Sequence, residues 1–295
     1  MSFRSSGCTG SLQNKDAIAL LLWAALLLAI IGSTISSIIG TASAASSANT
    51  LLVPLYSWPV KYVNGQRVLS DSWQGLYNIA VANPDLKITM ILNPDNGNFG
   101  LGGGLLTQEQ MASAQANPDI LWAAQKMQSA RIVTAGYVYT EYAARDPETC
   151  KQRIDLYKRL YNTTGIHFDQ MSNVAGNEPY YTSLSAYAKS SSGMAFTVGN
   201  PGTAIPESYV GTVDTIIVYE DRGLPSTSTL QARTFSGKYD RDNFAAIPHS
   251  VPRYDARWVE QARQAVGQLY VTNDTMPNPW DTLSRYTRQL ARDLQ

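Results

Sequence analysis

From residue 50 onward, short runs of β-branched and aliphatic residues alternate with longer amphipathic stretches. Eight runs read as strands: "LLVPLYSW" from Leu51, "KITMILN" from Lys87, "RIVTAGYVYT" from Arg131, "GIHFDQ" from Gly165, "MAFTVGN" from Met194, "TIIVYE" from Thr215, "FAAIPHS" from Phe244 and "QLYVTND" from Gln268. The stretches between them read as helices. The clearest are "PETCKQRIDLYKRLYN" from Pro147, "DARWVEQARQAV" from Asp255 and "WDTLSRYTRQLARDL" from Trp280. In the first, Ile154, Tyr157 and Leu160 recur at helical spacing. Eight strand–helix units over about 245 residues predict an α/β chain, a (β/α)8 TIM-type barrel covering residues 50–295. The near-continuous apolar strands suit a parallel sheet whose outer face is covered. A doubly wound open sheet is the alternative.

Most of the predicted strands end on polar side chains. Asn93 ends the second, Tyr139 and Thr140 the third with Glu141 after them, and Asp169 and Gln170 the fourth. Asn200 ends the fifth and Glu220 the sixth, His249 follows the seventh, and Asn273 and Asp274 end the eighth. A barrel brings all these ends to one face, where active sites form. Two of the ends, Asp169 and Glu220, are carboxylates placed directly after buried runs. A pair of carboxylates across a cleft is the equipment of glycoside hydrolysis, one protonating the leaving oxygen and the other attacking the anomeric carbon or activating water. Either order of roles is compatible with the sequence. Taken singly, each acid has a structural reading as an ion pair, with Arg145 and Arg222 as available partners.

Strand alternation adds His167, expected to point inward one layer below Asp169 while Ile166 and Phe168 face the helices. A histidine there could hydrogen-bond the carboxylate or be a satisfied core residue. His167, Asp169 and His249 could also form a metal site, but the chain has only 2 histidines and no H-x-x-x-H pair, so neither metal nor cofactor is expected. "GLGGGL" from Gly100 lacks phosphate-loop spacing and reads as a mobile loop over the active face. The remaining candidates for holding sugar hydroxyls are Gln170, Asn200, Asn93 and Tyr139, with Tyr56, Trp58 and Tyr142 available to stack rings.

Composition narrows the partners. Basic and acidic residues balance at 23 each, so no field for nucleic acid is expected. Hydrophobic residues at 44% and charged residues at 16% allow a large core. Ahead of the barrel, Arg4 and Lys15 precede an uncharged run from Ala17 to Ile39, followed by Ala42-Ser43-Ala44. Residues 1–44 therefore read as a signal peptide or as a membrane anchor, joined by a short linker to about residue 50. Either reading places the barrel outside the cytoplasm, secreted or anchored to the outer membrane face by residues 17–39. Cys8 and Cys150 fall on opposite sides of the run and form no disulfide framework. Asn162-Thr163-Thr164 and Asn273-Asp274-Thr275 match the glycosylation sequon.

Five phrases in order carry a resemblance: "ILNPDNG", "AGYVYTEYAAR", "GIHFDQM", "VGNPGT" and "TIIVYE". With them the chain resembles the spherulin-4-like family, spherulation-specific family 4, from Leu51 to beyond Glu220. The resemblance implies a (β/α)8 barrel and cleavage of an α-linked galactosamine-containing polysaccharide without a metal. It implies an acidic pair ending the fourth strand and a Glu ending the sixth. Asp169 and Glu220 match. Gln170 stands where the second acid is expected and His167 where an aromatic is usual. A carboxamide cannot transfer a catalytic proton near neutral pH. The alternative is therefore a non-catalytic glycan-binding surface protein on a degenerate hydrolase barrel.

Overall fold

The structure, a computed structural model, describes residues 49–295. The expected signal or anchor segment lies outside the described residues. Among the described residues, no helix is long and apolar enough to cross a membrane.

The strands, in chain order, are β1 (Thr50–Pro54), β2 (Val60–Val63), β3 (Gln66–Leu69), β4 (Lys87–Leu92), β5 (Val133–Tyr139), β6 (Gly165–Asp169), β7 (Phe196–Gly199), β8 (Thr215–Tyr219), β9 (Phe244–Ala246) and β10 (Gln268–Leu269). Eight of them close into a parallel barrel in the order β1-β10-β9-β8-β7-β6-β5-β4. The expected barrel is thus present, each of the eight predicted runs supplying one stave. The open sheet is ruled out by the pairing of β1 with both β4 and β10.

The antiparallel pair β2–β3 was not expected. Its signal was available: "VNGQ" puts Asn64 and Gly65 at the turn, both with positive φ, which two-residue hairpins demand. The helices are α1 (Asp71–Ala82), α2 (Gln108–Ser113), α3 (Pro118–Ser129), α4 (Pro147–Tyr161), α5 (Glu178–Ser190), α6 (Thr227–Arg233), α7 (Ala256–Ala262) and α8 (Thr287–Asp293). α4 starts where Asp146 accepts from the Glu148 N–H and Pro147 fills the first helical position. The closing helix begins at Thr287, not Trp280. Residues 280–286 are drawn into turns, where the Ser284 N–H donates to the Tyr270 hydroxyl and the Trp280 indole turns toward Glu220.

Glycine sets the facing of the central strands. A Cβ on Gly136 would lie 2.3 Å from the Tyr157 ring of α4, so this position faces outward and lets the helix seat closely. Gly136 pairs with Ile166. Alternation then turns Ile166 and Phe168 to the helices and His167 and Asp169 into the barrel, as expected.

The glycine-rich loop is pinned. The buried Arg145 donates to the Gly103 carbonyl, and the buried Arg153 to those of Gly102 and Gly104. Buried guanidinium groups held by backbone acceptors are costly to release, which argues against the mobile loop expected.

Candidate active site

The carboxyl ends of the strands surround a cleft of about 1020 Å³. Asp169 ends β6 and Glu220 follows β8, and both line it. Tyr56, Asn93, Tyr137, Asn200, Arg222 and Trp280 contribute to its walls.

Asn200 ties the two acids together. Its Nδ2 donates to Asp169 Oδ1 at 3.1 Å and to Glu220 Oε2 at 2.6 Å. The amide is fixed in this orientation because its oxygen accepts from the Gly202 N–H at 2.9 Å. With the two N–H bonds of an amide about 120° apart, those contacts set the carboxylate oxygens about 5 Å from each other. Each acid has one further donor. The Tyr137 hydroxyl reaches Asp169 Oδ2 at 2.6 Å, and Trp280 Nε1 reaches Glu220 Oε1 at 3.0 Å.

The surroundings of the acids differ. Burial raises the Glu220 carboxyl to about 6, and the Asp169 charge adds to the rise against the opposing hydrogen bonds from Asn200 and Trp280. The Asp169 side chain is 23% exposed, and Tyr137 and Asn200 both donate to it, an arrangement suited to an anion. Burial, then the Asp169 charge, pushes the Tyr137 phenol far up, so it remains a donor at any physiological pH.

The backbone behind Asp169 is braced. Thr140 Oγ1 donates to the carbonyls of Asp169 and Gln170, and the Tyr142 N–H donates to Gln170. Glu141, Tyr142, Ala143 and Gln170 all have positive φ, between 50° and 75°. Non-glycine residues in this region each cost roughly 1–2 kcal/mol, so the surrounding bonds hold a strained rim in place.

The predicted site residues separate into two groups. Asp169, Glu220, Asn200, Asn93 and Tyr56 meet in the cleft. Trp58, 55% exposed, lines an adjoining hollow of about 150 Å³ that shares Tyr56, Asn93 and Asp95 with the cleft. Gln170, Tyr139 and Tyr142 do not line the cleft. The Tyr139 ring lies under the Arg145 guanidinium at 3.7 Å, and Tyr142 is 61% exposed on the rim. His167, expected among the sugar contacts, is 1% exposed and lies beneath the cleft floor. Arg145 does not pair with either acid: it serves the Tyr139 and Gly103 carbonyls. Among the described residues, no three or more His, Cys, Asp or Glu side chains are placed to hold a metal ion.

Two walls escaped the sequence reading. Tyr137 lies two residues before Tyr139 on the same strand face, so alternation offered a signal for it. Trp280 arrives from a loop well past β10, where no periodicity points inward. Asp95, Asp221, His249 and Ser250 also line the cleft. Burial, the largest cause, lowers the His249 imidazole pKa.

The sequence matches the Spherulin4 family, spherulation-specific family 4, over residues 50–293. Spherulin-4 of Physarum polycephalum is 30% identical over 176 residues, which are 59% of this chain and 45% of that protein, so the chain spans under half the length of this relative. Among solved structures, Aspergillus clavatus Sph3 in complex with GalNAc matches with a TM-score of 0.65 over 84% of this chain and 98% of that one, at 22% identity. An O-GlcNAc hydrolase mutant of Thermobaculum terrenum matches with a TM-score of 0.52 over 84% of this chain and 59% of that one, at 12% identity. At these identities the likeness is one of fold.

Proposed function

The chain belongs to spherulation-specific family 4, and we propose that it is an extracellular glycoside hydrolase acting on an amino-sugar, galactosamine-type polysaccharide through Asp169 and Glu220. The observation that carries the proposal is the single Asn200 amide donating to both carboxylates at 3.1 and 2.6 Å. It sets them at the separation of about 5–5.5 Å at which one carboxylate can attack while the other protonates.

The unequal surroundings divide the roles. Glu220, raised to about 6, keeps its proton into the mildly acidic range and is the general acid. It gives that proton to the glycosidic oxygen as the bond to the anomeric carbon breaks. Asp169 is the nucleophile, its charge steadied by Tyr137 and Asn200. It forms a glycosyl ester, which a water molecule then cleaves after giving a proton to the now ionised Glu220. The product keeps the anomeric configuration.

The amino-sugar assignment is supported by the GalNAc held by the fold relative Sph3 and by the family resemblance. Placement outside the cytoplasm rests on the uncharged run 17–39 behind Arg4 and Lys15. The binding-only alternative rested on Gln170 replacing an acid. Gln170 does not line the cleft, so its amide removes no group from the pair of acids.

The test is incubation of the purified chain with galactosamine-containing polysaccharides, scoring new reducing ends and the anomer first released by NMR. Release with retained configuration is expected, and its loss in Glu220→Gln. No release from a panel of amino-sugar polymers, or inversion, would refute the reading.

A further inference from the structure

His167 is the buried ionisable group that this chemistry leaves unused. It is 1% exposed inside the barrel, and neither ring nitrogen has a hydrogen-bond partner. Native proteins leave few buried polar atoms unpaired, because each forfeits its hydration. Its ring packs at 5.9 Å from that of Tyr137, the residue paired with it on β5. Its Nε2 lies 3.9 Å from Asp169 Oδ1.

The four oxygens of the two acids are unequally held. Asp169 Oδ2 and Glu220 Oε2 each have a donor at 2.6 Å, and Glu220 Oε1 has one at 3.0 Å. Asp169 Oδ1 has the longest contact, 3.1 Å, and shares that donor with Glu220. This is also the oxygen that faces His167. Burial, opposed by the Asp169 charge, lowers the imidazole to about 4, so the ring is neutral in the working range and carries one N–H. An anion above it favours that proton on Nε2. A closure of about 1 Å would make the hydrogen bond.

Resting on the hydrolase reading above, we infer that His167 is a positioning residue: a neutral Nε2–H donor beneath the cleft floor that holds Asp169 Oδ1 in place up to the attack on the anomeric carbon. The need arises because Oδ1 draws on Asn200 alone, whose nitrogen lies closer to Glu220, at 2.6 Å against 3.1 Å. A second donor of its own would fix the direction of the Asp169 carboxylate until its charge passes to the glycosyl ester. A ring kept unpaired for this purpose costs stability in the resting protein, and so separates function from fold.

Three readouts test the inference on the full-length chain. His167→Phe keeps a ring of similar size and removes both orphan nitrogens. It is expected to leave Tm unchanged or higher, to lower kcat about 10- to 100-fold and to leave KM within about twofold. His167→Gln, which returns a donor near the Nε2 position, is expected to recover part of kcat. ¹⁵N–¹H NMR should show a neutral Nε2–H ring whose shift moves in Asp169→Asn, a measurement that needs no turnover. Wild-type kcat in His167→Phe, a loss confined to KM, or an Nδ1–H or imidazolium ring would overturn it. If the chain hydrolyses none of the glycans tried, the hydrolase reading fails separately and the tautomer alone decides the contact.

Discussion

Replacing Glu220 by Gln should abolish hydrolysis and remove a penalty on the fold that depends on pH in a defined sense. Burial raises the Glu220 carboxyl from 4.5 to about 6 in the folded protein. The folded state therefore holds a proton that the unfolded chain has released between those values, and stability falls as pH rises through this window. Below about 4.5 both states are protonated and the penalty is absent. Above about 6 both are ionised, and the shift of about 1.5 units costs about 2 kcal/mol. Gln keeps the shape and carries no charge to desolvate; its single oxygen can accept from only one of Trp280 and Asn200, a cost that does not change with pH. In a barrel of this size, about 2 kcal/mol corresponds to a rise of roughly 4–8 °C in Tm. Denaturant unfolding of wild type and Glu220→Gln at pH 4 and pH 8 measures the effect as the difference between the two stability gaps. The gap should move by about 2 kcal/mol in favour of the variant between pH 4 and pH 8. A pH-independent gap would refute the burial argument, and with it the assignment of Glu220 as the acid.

Trp280→Phe removes the indole N–H that lowers the Glu220 carboxyl; the basic limb of the kcat/KM profile should move up by about one pH unit, with binding little changed. Asn200→Ala takes a donor from both acids at once, so kcat should fall by about two orders of magnitude, and the double variant with Trp280→Phe should be less than additive when both are measured on one substrate. Gln170→Glu should leave kcat within about twofold of wild type in a reducing-end assay, since residue 170 does not line the cleft; a gain of an order of magnitude would restore the degenerate-enzyme reading.

The barrel was legible because a parallel stave buried on both faces must read as an unbroken apolar run, and eight such runs stand in the chain. The two acids were legible for the same reason. A carboxylate set directly after "GIHF" or "TIIVY" sits at a strand mouth, where it is neither core nor ordinary loop. What strand position alone could not settle was which rim side chains turn inward. Tyr139 shares the inward face with Tyr137, yet the Arg145 guanidinium over its ring takes it out of the cleft wall. Gln170 adopts a left-handed φ of 50°, which breaks the alternation that would otherwise fix its direction. Trp280 depends on how turns 280–286 fold against Tyr270, a contact between distant residues with no local signature.

The division of labour proposed for the two acids follows from what each is packed against. Asp169 keeps a partly open side chain and receives a phenol and an amide. Glu220 receives an indole and the same amide while burial raises its carboxyl to about 6. Because one nitrogen serves both, the two sites cannot change charge independently. Protonating Glu220 weakens its pull on Asn200 and leaves the amide to Asp169. In the mechanism proposed, deprotonating Glu220 reverses this at the moment Asp169 loses its charge to the glycosyl ester. The shared amide therefore follows the negative charge from one acid to the other, and a single side chain can stabilise both states without moving beyond the span of two hydrogen bonds.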